Sequence, residues 1–85
     1  VMGDRALYGN TTGGYNVAMG GEALRSNTTA SNNTAVGYQA MYSNTTGTRN
    51  TVLGKNAYYT ATTGDDNVAI GYDAGTAVTT ASDNT

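Results

Sequence analysis

Asn33-Thr34-Ala35-Val36-Gly37 repeats the pattern of Asn16-Val17-Ala18-Met19-Gly20, and Asn50-Thr51-Val52-Leu53-Gly54 and Asn67-Val68-Ala69-Ile70-Gly71 repeat it again, each 17 residues on. Within each segment apolar and small side chains alternate with the period of two that marks a strand. The rest of the chain keeps step. Gly3, Gly20, Gly37, Gly54 and Gly71 form one column, and Ala6, Ala23, Ala40, Ala57 and Ala74 a second. Asn16, Asn33, Asn50, Asn67 and Asn84 form a third. Two further columns run through Thr11, Thr28, Thr45, Thr62 and Thr79, and through Thr12, Thr29, Thr46, Thr63 and Thr80. A fixed period without insertions is the signature of stacked repeats. The chain therefore reads as all-β, a parallel β-solenoid of five 17-residue coils, with residues 1–85 forming a single repeat array. Asn84-Thr85 would continue into Val1-Met2 in the same register, so the array reads as an excerpt of a longer fibrous chain.

Alternation places the aliphatic column Met2, Met19, Val36, Leu53 and Ile70 on one strand face, with Val17 and Val68 beside it. That face is expected inside. The opposite Ala/Gly face is smooth enough for another backbone to approach. Gly20, Gly37, Gly54 and Gly71 end their strands and suit a corner at positive φ. The column Asn16, Asn33, Asn50 and Asn67 is expected to take the left-handed region and to bond from coil to coil as a ladder. Thr-Thr reads as a second, shorter strand, since Thr is β-prone. A 17-residue offset predicts Arg5 beside Glu22, Arg49 beside Asp66, and Asp66 beside Asp83.

Leu, Ile, Val and Phe together make only ten of 85 residues, while the net charge is just −2. Low apolar content alone would suggest disorder, but a disordered linker has no reason to hold columns in phase. The thin core makes a lone chain marginal and points to partner chains: a homotrimer, or a homopolymeric fibre. Four scattered basic residues cannot form a phosphate-neutralising stripe, so nucleic acid is not an expected partner. No apolar run in this segment is long enough to span a membrane.

Without His or Cys, the usual triads, thiol nucleophiles and zinc sites are missing. No catalytic, cofactor-binding or metal residues are assigned, and the chain does not read as an enzyme. Asp65-Asp66 is the one acidic pair, and a solvated turn explains it better than a glycosidase pair. Tyr8, Tyr42 and Tyr59 share a phase and are candidates for surface or interface contact, with a host surface or glycan as the ligand. Asn10, Asn27, Asn32 and Asn44 each begin a glycosylation sequon, although Asn-Thr-Thr is more simply a turn into a Thr segment. The stacked Thr columns raise ice binding as an alternative, but adjacent Thr on a strand face opposite ways.

The recurring Asn-[Val/Thr]-Ala-aliphatic-Gly with Ala three residues later, and Asn33 to Ala40 in particular, resembles the head repeats of trimeric autotransporter adhesins, the Yersinia type among them. Similar repeats occur in phage tail fibres. The resemblance covers all five coils. It implies a left-handed parallel β-roll assembled as a trimer on a stalk or fibre, and hence an extracellular, cell-surface or virion location. The family's usual repeat is a few residues shorter, which places the extra length here on the Asn-Thr-Thr-Gly side. The expected function is a structural and adhesive shaft mediating surface attachment; the alternative is a solenoid with a carbohydrate- or ice-binding surface.

Overall fold

The structure, a computed structural model, describes residues 3–76. The expectations for Val1, Met2, Thr79, Thr80, Asp83, Asn84 and Thr85 lie outside them. Four strands occur: β1 (Val17–Met19), β2 (Thr34–Val36), β3 (Thr51–Leu53) and β4 (Val68–Ile70). There is no helix among the described residues. The strands form one parallel sheet in the order β1-β2-β3-β4. Ala18 pairs with Ala35, Ala35 with Val52 and Val52 with Ala69, so every pairing carries the 17-residue offset read from the sequence.

Each strand is only three residues long, yet bonding between repeats continues far beyond it. Leu24 N donates to Ala40 O and Met41 N to Ala57 O, each at 3.0 Å, across the wall opposite the sheet. Thr28 N donates to Thr45 O, and Thr45 N to Thr62 O, in the Thr segment. That segment forms bends rather than the second strand expected of it. Its carbonyls are shared by successive N–H groups, Thr45 N and Thr46 N both reaching Thr62 O, which breaks the even spacing a parallel ladder requires.

Corners come from left-handed backbone at fixed phases. Thirteen non-glycine residues have φ between 51° and 64°, in three columns: Arg5 to Asp73, Leu7 to Tyr58, and Tyr15 to Asp66. The left-handed residue before each strand is therefore the one preceding the Asn, not the Asn itself. Left-handed backbone costs an L-residue roughly 1–2 kcal/mol. Inter-repeat bonds from these same residues oppose that cost: Glu22 N to Asp4 O at 2.8 Å, Asn32 N to Gly14 O at 3.1 Å. The strand-ending glycines are corners too. At Gly37 φ is 131°, and a Cβ there would lie 2.6 Å from Gly54 O.

The core reverses the expected strand phase. Ala18, Ala35, Val52 and Ala69 point inward and are buried, whereas Val17, Met19, Leu53 and Ile70 are 45, 40, 47 and 63% exposed. Val36 and Val68 are half-buried. The reason lies across the core, where Leu24, Met41 and Tyr58 are fully buried behind Ala23, Ala40 and Ala57. Side chains of that size fill the interior and leave the strand room for Ala, with Val at one repeat. The Ala positions of that face pack against this wall, and the Gly corners admit the backbone of the chain's own next repeat. No outside partner can use that face.

Candidate functional site

Reversing the strand phase turns the aliphatic column outward. Parallel pairing sets Met19, Val36, Leu53 and Ile70 side by side, with Val17, Thr34, Thr51 and Val68 in the neighbouring row. Beyond the Gly corner, Tyr38 and Tyr72 are 49 and 70% exposed and extend the apolar surface. The Lys55 ammonium lies 5.7 Å from the Tyr72 ring centre, and the Tyr38 ring rests over Gly21. The result is a continuous aliphatic stripe along a sheet, with an aromatic margin. Contiguous exposed apolar patches of this kind mark interaction surfaces.

On the other wall, Tyr8, Arg25, Tyr42 and Tyr59 occupy one column. The Arg25 guanidinium lies 5.4 Å from the Tyr8 ring centre and 5.6 Å from that of Tyr42. Its Nη1 donates to the Tyr42 hydroxyl at 3.1 Å. Tyr42 and Tyr59 stack with centroids 4.9 Å apart and planes 9° from parallel. Glu22 closes the arrangement from the adjacent column, 3.7 Å from Arg25 and 3.8 Å from Arg5, and accepts from Gln39 Nε2 at 3.0 Å. Arg25 belongs to this column by its 17-residue distance from both Tyr8 and Tyr42, a signal that matching aromatic residues alone does not use.

Two Asn ladders run through the interior. In one, Asn33 N donates to Asn16 Oδ1, Asn50 N to Asn33 Oδ1 and Asn67 N to Asn50 Oδ1, at 2.9–3.0 Å. In the other, Asn27 Nδ2 donates to Asn10 Oδ1 and Asn44 Nδ2 to Asn27 Oδ1. Ala61 takes the next place and offers no donor, and Asn44 Oδ1 is left buried without a partner. Asn27 and Asn44 are fully buried, with their amide nitrogens also bonded to Ala30 O and Gly47 O. A glycan cannot be carried at either in the folded chain. The half-buried Asn10 uses its amide nitrogen on Gly13 O, while Asn32 is exposed. Among the sequons Asn32 alone stands clear.

Thr11, Thr28 and Thr45 each donate their hydroxyl to the next repeat, as Thr11 does to Thr28 O at 3.0 Å and Thr45 to Thr62 O at 3.3 Å. Thr12, Thr29, Thr46 and Thr63 form an exposed rank, a single row rather than a two-dimensional lattice. Asp65 and Asp66 diverge. Asp65 accepts from Thr48 N at 2.7 Å, and Asp66 holds Arg49 through two bonds of 2.6 and 3.0 Å. Those bonds, aided by the Arg49 charge, hold the Asp66 carboxyl below its ordinary pKa, against a smaller effect of burial.

Burial pushes the Tyr58 phenol above its usual value; the Asn67 side chain works against that shift and the Asp65 charge adds to it. Among the described residues no group of His, Cys, Asp or Glu is placed to hold a metal, and no helix is long and apolar enough to cross a membrane. Compared with known proteins, the chain matches no family model, no curated protein and no solved structure.

Proposed function

We propose that this chain is a segment of a parallel β-solenoid of five 17-residue coils, a left-handed roll that assembles as a homotrimer into an extracellular or virion fibre. Its work is that of a structural and adhesive shaft mediating surface attachment. The observation carrying this reading is the outward aliphatic stripe of Met19, Val36, Leu53 and Ile70 on a parallel sheet. The occupant of the stripe is further copies of the same chain. A copy repeats with the same period, so its stripe meets this one repeat by repeat, and neither carries charge in the aliphatic column. The resemblance to adhesin and tail-fibre repeats supports three copies around a common axis. The interface is the aliphatic face, since the Ala/Gly face is used within the chain. The Tyr8–Arg25–Tyr42–Tyr59 column, on the other wall of the core, is then free for a host surface or glycan.

Sedimentation equilibrium tests the assembly. The chain should sediment at about three times its mass of 8.7 kDa. A variant with Leu53→Asp and Ile70→Asp should sediment as a monomer with an unchanged circular dichroism spectrum. A wild-type chain that stays monomeric at high micromolar concentration rules the trimer out. Beads coated with the wild-type chain, but not bare beads, should adhere to cell or glycan surfaces; failure there removes the adhesive part and leaves the shaft.

A further inference from the structure

Arg25 shows how this molecule holds a guanidinium. The cation lies between the Tyr8 and Tyr42 rings, and Glu22, three residues earlier in the same turn, supplies a carboxylate 3.7 Å away. Planar cation on aromatic ring, with a carboxylate at its side, is an arrangement in which Arg outperforms Lys.

Three periods further on, the same turn keeps the frame without the cation. Thr76 stands in the Arg25 position and Asp73 in the Glu22 position. Tyr59, stacked on Tyr42 through one ring face, lies in the preceding repeat of the same column. Replacing a long side chain by Thr leaves a cleft of about 310 Å³ lined by Gln39, Asn56, Tyr59, Thr60, Asp73 and Thr76. The Thr60 hydroxyl donates to Thr76 O and fixes the rim. Asp73 is exposed and has no ion-pair partner among the described residues. Gln39 and Asn56 contribute amide groups to the lining. The lining thus carries a ring, a carboxylate and amides, and no cation.

We propose that this cleft binds a guanidinium group, stacked on Tyr59 and paired with Asp73. An arginine side chain of a partner polypeptide and a small guanidine are its two sources. The site is separate from the aliphatic stripe and does not depend on lateral assembly.

The test is a nuclear magnetic resonance titration of the full 85-residue chain at low ionic strength, where an exposed ion pair is least screened. N-acetyl-arginine amide should give saturable shifts at Tyr59, Asp73 and Thr76. Asp73→Asn, an exposed change that leaves the fold intact, should weaken binding about fivefold, the worth of an exposed ion pair. Thr76→Arg should place a guanidinium in the cleft from within, abolish the titration and raise the melting temperature. N-acetyl-lysine amide should bind more weakly than the arginine compound. A Gly-Arg-Gly peptide that binds much more tightly than the amide identifies a polypeptide source, and equal binding a small guanidine; both support the site. Equal shifts with a neutral methyl glucoside, or an arginine response that survives both Asp73→Asn and Thr76→Arg, overturn it.

Discussion

The Asn50 side chain accepts the Asn67 N–H on its oxygen and donates from its nitrogen to Gly64 O at 2.9 Å and Asn33 Oδ1 at 3.2 Å. Truncation to alanine strands a buried N–H and a carbonyl together. Asn50→Ala should therefore cost about 1–3 kcal/mol in urea unfolding. Asn50→Asp is more informative. Its carboxylate can still receive the Asn67 N–H, but the other oxygen faces two acceptors, and only the protonated acid can donate to Gly64 O. Its folded pKa is thus raised above the unfolded value of about 3.9. The variant should be most stable below that pH and lose stability as pH rises through the folded pKa. A variant whose stability instead climbs between pH 4 and 7 would show that the amide nitrogen is dispensable.

At the scale of the strand, one residue separates a core position from a surface one. Val52 is buried against the Leu24, Met41 and Tyr58 wall, while the adjacent Leu53 is 47% exposed. Val52→Asp should cost about 3–5 kcal/mol, the usual effect of an uncompensated buried charge. Leu53→Asp should change the thermal stability of the isolated monomer by no more than about 0.5 kcal/mol. Equal losses in the two variants would mean that both faces of the strand are packed.

The register and the strand positions were legible in the sequence, because a 17-residue period leaves no other way to align the columns. Which face turned inward was not. Alternation alone marks two faces, and hydrophobicity favoured Leu53 over Ala35. The deciding signal was the column of Leu7, Leu24, Met41 and Tyr58, whose bulk already fills the interior. The left-handed residues were equally hidden, since Leu24 and Tyr58 carry none of the composition of a turn. Their conformation is imposed by repeat-to-repeat bonding. Of the candidate surface, the Tyr column could be read off directly. The stripe emerged only once the strand phase was known.

For the whole molecule, two groups of shifted pKa make stability depend on pH. Tyr58 has a raised pKa in the fold, so its contribution is complete below the unfolded value of about 10. Above that value the unfolded chain releases the proton first, and stability should fall through the folded pKa. Tyr58→Phe should flatten this alkaline loss in a melting series, and an unchanged slope would assign it elsewhere. Asp66 has a lowered pKa, so its contact with Arg49 contributes above about pH 3.9 and is lost as pH falls through the folded value. Because that pair is on the surface, its share should shrink in added salt.

Among the described residues the bonds linking repeats, from Leu24 N to Ala40 O and from Thr51 N to Asn67 O alike, run from one repeat to the next. Pulled by its two ends, such a chain is loaded along those bonds, and an end repeat must yield before its neighbour. Force is met by one repeat's bonds at a time, never by the sum. A single-molecule stretching trace should then show a sawtooth, each tooth releasing 17 residues or about 60 Å of contour at 3.3–3.6 Å per residue. The molecule would behave as a ratcheted tether, giving length in equal steps where a cooperative globule would give it all at once.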